Sequence, residues 1–205
     1  ALLLLREAPP PGPKKGAIVR QWKHLPPEAV WLFEDETILR LFPVLRRAWS
    51  LRREQAVVPI TGNNAKRVLF GTLNPRTGHR SVFRCPNMRQ ESFQAFLRLL
   101  RHSYPGRAIW LLLDEAPCHI APKSHALAQT LKIGLLWLPK QCSELNAMDH
   151  LWRALKDKSS ANSQFKSIDV HADFAENWIR SLSSHQTLLK AGVLSKNFWL
   201  QSFLQ

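Results

Sequence analysis

The chain has 205 residues, of which 45% are hydrophobic, and its 29 lysines and arginines outnumber its 15 acidic residues. This composition argues against global disorder, and the basic excess favours nucleic acid as the partner over a membrane surface. Three scattered cysteines argue against a disulfide framework, and no apolar run approaches the roughly 18 residues of a membrane span. The totals therefore predict a nucleic-acid-binding protein of a reducing compartment.

The chain opens with a segment rich in proline. Residues 8–15 read Ala-Pro-Pro-Pro-Gly-Pro-Lys-Lys, and such a run cannot hold a helix. We therefore expect residues 1–16 to be an extended linker or remnant, and residues 17–205 to form one compact domain.

Beyond this linker, apolar runs alternate with helical periodicities. An i, i+3, i+4, i+7 recurrence of Phe93, Phe96, Leu97 and Leu100 is typical of an amphipathic helix. The predicted strands are Val30–Phe33, Lys66–Leu73, Arg80–Phe83, Ala108–Leu113 and Ile133–Leu138, and the later predicted helices are Ser124–Leu131, Ala147–Lys158 and Ile168–Leu182. Strands and helices in this order predict an α/β fold with a mixed central sheet flanked by helices.

Three aspartates stand at places where such a fold gathers side chains. Asp35 and Asp114 each follow a strongly apolar run, and Asp149 lies in the first turn of a predicted helix. Carboxylate oxygens are the ligands that Mg²⁺ prefers, and two such ions can activate a nucleophile and stabilise a leaving oxygen. In a basic chain, this pattern predicts a two-metal site that acts on phosphodiesters.

Each aspartate also has a structural interpretation. An aspartate after a strand is commonly a turn or cap residue, and Asp149 could serve only the dipole of its helix. The neighbouring Glu34 and Glu36 point to the face opposite Asp35 if the strand continues, so we interpret them as bystanders. The joint arrangement of the three aspartates, rather than any one of them, supports catalysis.

The basic residues near these acids are candidate DNA contacts. On the predicted 147–158 helix, Arg153 and Lys156 follow Asp149 at i+4 and i+7, and an arginine cluster follows the first strand. The alternative for the cluster is an ordinary solvated surface. The predicted DNA-binding residues are Arg46, Arg47, Arg52, Arg53, Arg153 and Lys156.

Cysteines and histidines suggest no second metal site at the level of the sequence. Cys118, His119, Cys142 and His150 have spacings that match no compact pair of zinc ligands, so a structural zinc ion is not predicted.

The segments around the aspartates resemble a known family. Asp114-Glu115-Ala116-Pro117-Cys118-His119 and the string from Leu138 to Trp152, with thirty-four residues between Asp114 and Asp149, resemble the second and third catalytic blocks of mariner-superfamily DDE/DDD transposases, bacterial insertion-sequence members above all. Phe33-Glu34-Asp35-Glu36-Thr37 resembles their first block, and Arg47-Ala48-Trp49 resembles the tryptophan-containing segment that follows it. The resemblance covers roughly residues 30–185.

The resemblance implies a ribonuclease H-like fold and a DNA transposase catalytic domain. Its catalytic and metal-binding residues would be Asp35, Asp114 and Asp149, holding two Mg²⁺ or Mn²⁺ ions for strand cleavage and 3′-hydroxyl strand transfer, with His119 as a possible accessory residue. It also implies DNA partners (transposon ends and target), a homodimer, a bacterial cytoplasmic location on the nucleoid, and an N-terminal helix-turn-helix domain that this sequence lacks.

Two alternatives remain open at this stage. The chain has Glu115 where the family commonly has asparagine, and Ala147 where it commonly has proline. Such departures favour a catalytically inactive, DNA-binding derivative, whereas a metal-dependent nuclease on the same fold would cleave DNA without joining it.

Overall fold

The apolar runs of the sequence form the strands of one sheet. The computed structural model describes residue 18 and residues 28–47, 49–54, 57–140 and 142–204. Its strands are β1 (Val30–Arg40), β2 (Lys66–Leu73), β3 (Arg80–Cys85), β4 (Ile109–Leu113) and β5 (Ile133–Trp137). The predicted linker, residues 1–16, lies outside the described residues.

The strands are ordered β3-β2-β1-β4-β5, which makes the sheet mixed. β1 pairs antiparallel with β2, and β2 pairs antiparallel with β3. β1 and β4 run parallel, as do β4 and β5. The carboxyl ends of β4 and β5 therefore lie next to each other, level with the middle of β1.

Helices cover both faces of this sheet. They are α1 (Gln90–Ser103), α2 (Pro117–Ile120), α3 (Pro122–Thr130), α4 (Ala147–Ser159), α5 (Ile168–Ser181) and α6 (Ser184–Lys190), with 3₁₀ turns at Ser143–Leu145 and Gln201–Phe203. Odd-numbered apolar residues of β1, such as Trp31 and Phe33, share a core with α4 and α5, whereas Val30 and Leu32 share a second core with α1. Burial of these apolar surfaces on both faces stabilises the domain. Among the described residues, no helix is long and apolar enough to cross a membrane.

β1 is longer than the sequence predicts. The apolar run ends at Phe33, yet the strand continues to Arg40. Asp35 lies in the middle of this longer strand, where it pairs with Gly71 of β2. The prediction that Asp35 ends its strand is therefore wrong: the pairing with β2 carries the strand past its polar residues.

Gly71 lets α4 lie close to the sheet. A Cβ atom at this position would lie 2.4 Å from Met148 Cε and 2.5 Å from Trp152 Cζ2. Both side chains are fully buried and belong to the first two turns of α4. The absence of a side chain at Gly71 therefore sets the distance between β2 and the end of α4 that carries Asp149.

We expect Gly71→Ala to lower the free energy of unfolding by about 1–3 kcal/mol, the usual cost of overpacking a filled core. Urea unfolding of the two proteins measures the difference. Lys66→Ala, at the exposed end of the same strand, is the control and should change the midpoint little. Equal stability of Gly71→Ala and the wild type would show that α4 does not depend on this contact.

Candidate active site

The three predicted aspartates line one cavity. Asp35, Asp114 and Asp149 come from β1, from the residue after β4, and from the first turn of α4, and they meet in a cavity of about 460 Å³. The remaining lining residues are Glu115, Ala116, Ile120, Leu138, Pro139, Lys140, Cys142, Ser143 and Asn146. The structure therefore brings together the acids that the sequence singled out.

Strand register places Asp35 beside Asp114. Phe33 pairs with Leu112 on the parallel strand β4, and continuing this register by two residues brings Asp35 level with Asp114. Asp35 is half-buried in the middle of its strand, whereas the Asp114 side chain is 59% exposed. The first acid is thus fixed by the sheet, and the second stands at the mouth of the cavity.

Asn146 ties the third acid to the same strand. Its side-chain oxygen accepts a hydrogen bond from Met148 N at 3.0 Å, which caps α4, and its Nδ2 donates to the backbone oxygen of Glu34 at 2.7 Å. Asn146 is 3% exposed, so both bonds are shielded from water. Asparagine is a favoured N-cap residue, and this signal was present in the sequence, but the tie to β1 was not predictable from it.

Two aromatic residues near the C-terminal end, Phe198 and Trp199, support the 3₁₀ turn that precedes α4. Trp199 Nε1 donates to the backbone oxygen of Leu145 at 2.9 Å, and the Trp199 and Phe198 rings pack edge-on against Phe33. The approach to α4 is therefore fixed by a segment beyond the predicted catalytic blocks, a role that the sequence did not indicate.

The pKa values of Asp35 and Asp114 are shifted in opposite directions from the ordinary value of an aspartate. Burial, followed by repulsion from Glu36 and Asp149, raises the pKa of Asp35 to about 8. For Asp114, a hydrogen bond from His119 lowers the pKa. A cation bound among these carboxylates would favour their ionised forms and would offset the burial and the repulsion that raise the pKa of Asp35.

His119 positions Asp114 from beneath. Its side chain is fully buried, and Nδ1 lies 3.0 Å from both Asp114 Oδ1 and the Asp114 backbone oxygen. Ala116 N also donates to Asp114 Oδ1, at 2.9 Å. The ring is packed inside the protein, with Asp114 and buried neighbours around it.

Glu34 and Glu36 point away from the cavity, as strand parity predicts, but they are not bystanders. His119 Nε2 lies 3.3 Å from Glu34 Oε2 and 3.1 Å from Glu36 Oε1, and the side chains of all three are at most 3% exposed. The interpretation of these glutamates as peripheral is therefore wrong, because the burial of His119 between the sheet and α1 brings them together.

The predicted DNA-binding residues lie in different surroundings. Arg153 contacts Asp149 at 2.5 Å, and Arg46 contacts Asp157 of the same helix at 2.7 Å. Both cations are thus paired within the chain, which the sequence did not predict. Lys156 is half-buried on α4, whereas all five arginines of the set are exposed.

Comparison with known proteins gives the family and the fold. The family described as DDE superfamily endonuclease matches residues 30–170. The chain is 28% identical over 138 residues to the insertion element IS630 uncharacterized 39 kDa protein of Shigella sonnei, covering 66% of this chain and 40% of that protein. It therefore spans less than half the length of this curated relative.

Solved structures share the fold at low sequence identity. The catalytic domain of Mos1 mariner transposase has a TM-score of 0.63 and 15% identity, covering 94% of this chain and 91% of that chain. The Mos1 mariner paired end complex with Mn has a TM-score of 0.67 and 16% identity, covering 92% of this chain and 60% of that chain. The fold is ribonuclease H-like, as the resemblance implied.

The raised pKa of Asp35 leads to a pH-dependent stability in the absence of divalent metal. The pKa is about 8 in the folded protein against the reference value of 3.8, so folding retains a proton that the unfolded chain releases. The associated stabilisation is complete below about pH 4 and is lost as the pH rises through 8, with a slope of at most about 1.4 kcal/mol per pH unit.

We therefore expect the free energy of unfolding to fall less between pH 4 and 8 for Asp35→Asn than for the wild type. Urea denaturation in EDTA measures this difference. The difference isolates Asp35, because all other titrating groups are shared. Parallel curves for the two proteins would contradict a raised pKa at this residue.

Proposed function

The chain belongs to the family of DDE superfamily endonucleases, and we propose that it is the catalytic domain of a DNA transposase. The proposed reaction is metal-dependent strand cleavage followed by transfer of a DNA 3′-hydroxyl to a target strand. The observation that carries the proposal is the convergence of Asp35, Asp114 and Asp149 in one cavity from three separate elements.

The donor set of this cavity fits hard divalent cations. Its acids offer carboxylate oxygens, which Mg²⁺ and Mn²⁺ prefer, and a bound cation would offset the burial and the repulsion that raise the pKa of Asp35. We propose that Asp35, Asp114 and Asp149 would together hold two such ions. Such ions activate an oxygen nucleophile and stabilise the leaving oxygen of a phosphodiester. The likeness to a Mos1 complex with Mn supports this assignment.

The residues around the acids have supporting roles in this proposal. His119 holds Asp114 in place through a hydrogen bond, so this carboxylate needs little reorganisation to bind a cation. Arg153 neutralises Asp149 in the structure, and its guanidinium would be free of this ion pair if Asp149 held a metal ion instead. A released Arg153 at the edge of the cavity is placed to bind a DNA phosphate.

DNA is proposed to reach the cavity along the segment that follows β1. Arg47, Arg52 and Arg53 are exposed there and can neutralise phosphates. Arg46 and Lys156 flank the same side of α4, although Arg46 would first have to leave Asp157.

A homodimer is proposed for the pairing of two transposon ends. The segment after β1 also carries exposed apolar side chains, including Leu45, Trp49, Leu51 and Val57, at 73%, 103%, 72% and 83% exposure. Exposed apolar clusters of this kind commonly mark interaction surfaces. We place the second copy of the chain on this segment, and the likeness to a paired end complex supports the proposal.

Replacement of one metal-binding acid tests the function. With Mg²⁺ or Mn²⁺ and labelled DNA, and with a DNA end-binding domain fused if needed, we expect nicking that Asp149→Asn reduces on the order of 10³-fold, because several kcal/mol of transition-state stabilisation by metal is lost. The matched control is Asp157→Asn, an exposed acid two turns further along the same helix, which should retain nicking.

The products separate the proposal from its alternatives. Joined strands indicate a transposase, whereas cleavage without joining indicates a nuclease. DNA binding without cleavage in either metal would identify an inactive derivative and contradict the proposal.

Salt dependence tests the DNA surface. We expect the double variant Arg52→Gln/Arg53→Gln to weaken DNA binding and to reduce the slope of log K against log salt by about 1.8, the value for two phosphate contacts. The control is Arg89→Gln/Arg98→Gln, which removes the same charge from exposed positions around α1. Identical slopes for the two double variants would show that the effect is one of net charge.

A further inference from the structure

A second cluster of metal-ligating side chains lies beneath the catalytic cavity, on the opposite face of β1. Glu36, Cys118 and His119 each direct one donor atom to a common region, and these three atoms lie within 4.8 Å of one another. Cys118 is 3% exposed, and the side chains of Glu36 and His119 are 3% and 0% exposed. The ligands come from β1 and α2, which are remote in the sequence, so spacing alone gave no sign of a site.

Polar atoms in this cluster lack the hydrogen bonds that burial demands. Glu34 is fully buried, and neither of its carboxylate oxygens has a hydrogen-bond partner among the described residues. His119 Nε2 is equally without one: it lies near Glu34 and Glu36, but without hydrogen-bond geometry. Buried carboxylates are costly unless a cation compensates them, and here that cation is either the imidazolium of His119, 3.1–3.3 Å away, or a metal ion in place of its proton.

We propose that Glu36, Cys118 and His119 bind a structural zinc ion, with Glu34 as the fourth ligand. Nitrogen, sulfur and carboxylate oxygen together are a ligand set that zinc accepts and that Mg²⁺ does not favour. This site is distinct from the proposed catalytic metal site and does not depend on the proposed function.

Three of the six distances between the four proposed donor atoms are close to those of a tetrahedral zinc shell. Zinc bonds of 2.0–2.1 Å to nitrogen and oxygen place those ligands about 3.3 Å apart, and a 2.3 Å bond to sulfur places sulfur about 3.5 Å from oxygen. The observed distances are 3.1 Å from His119 Nε2 to Glu36 Oε1, 3.3 Å from Nε2 to Glu34 Oε2, and 3.3 Å from Cys118 Sγ to Glu36 Oε1.

The other nitrogen of His119 has the partner that a zinc-bound histidine requires. Nδ1 lies 3.0 Å from Asp114 Oδ1, so its proton can be donated to a carboxylate while Nε2 offers a lone pair to the metal. The zinc ion would thereby fix the ring that positions the catalytic Asp114, and it would link β1 to α2 in the buried layer.

Protons are the competing occupants of this cluster. Zinc binding requires a lone pair on His119 Nε2 and a thiolate on Cys118, so any proton on Nε2 and the proton of the thiol pass to solvent as the two bonds to zinc form. Zinc affinity should accordingly fall as the pH is lowered.

Cobalt and zinc binding to the whole chain test the site. After treatment with chelator, we expect the protein to bind one Co²⁺ with a thiolate-to-cobalt absorption band, and Zn²⁺ to abolish the band. Cys118→Ala should remove the band and weaken zinc binding by more than the roughly 10–100-fold that loss of an outer-shell partner costs. Cys85→Ala is the matched control, since Cys85 is 5% exposed in the same core, and it should retain the band.

Two further measurements keep the result interpretable. Asp149→Asn should retain the band, which separates this site from the catalytic cavity. If Cys118→Ala does not fold, Cys118→Ser, which nearly keeps the size of the side chain, replaces it and should also lack the band. A band that persists in a folded Cys118 variant, or no band in the wild type, would overturn the proposal.

Discussion

Repulsion between acids on one strand is the constraint on which the rest of the structure depends. Glu34, Asp35 and Glu36 are consecutive in the middle of β1, at the centre of the sheet, where water cannot screen their charges. Because strand side chains alternate, Asp35 faces the cavity while the two glutamates face α2. The glutamates are compensated by His119, which lies 3.1–3.3 Å from their carboxylates. The cavity face instead gathers two more acids, Asp114 and Asp149, whose repulsion adds to burial in raising the pKa of Asp35.

The position of α4 is fixed by contacts of two residues, Gly71 and Asn146, that take no part in the proposed chemistry. Gly71 allows Met148 and Trp152 to reach β2, and Asn146 bonds to the Glu34 carbonyl beside Asp35. Together they fix both the distance of the helix from the sheet and its placement along β1. Catalytic geometry of this kind depends on rigid support, so substitutions at such positions affect the site without touching its acids.

Local sequence patterns were sufficient to predict the strands and the three acids, but not the contacts between remote segments. β2 was predicted with its observed bounds because both turn residues and apolar residues mark it. β1 was predicted too short because its continuation past Phe33 depends on pairing with β2 rather than on apolar side chains. The roles of Glu34 and Glu36 were missed for a similar reason: the side chain that they contact, His119, lies more than 80 residues away.

Asp114 and Asp149 differ in how readily each can exchange its present partner for a cation. Asp114 is held by His119 and by the Ala116 amide, hydrogen-bond donors that can remain in place while another carboxylate lone pair binds a cation. Asp149 is held by Arg153, whose side chain is 58% exposed and whose charge a metal ion would replace. Surface ion pairs are weak, so this exchange costs little. A cation at Asp149 would therefore free Arg153 toward solvent, whereas Asp114 would keep its hydrogen bonds from His119 and Ala116.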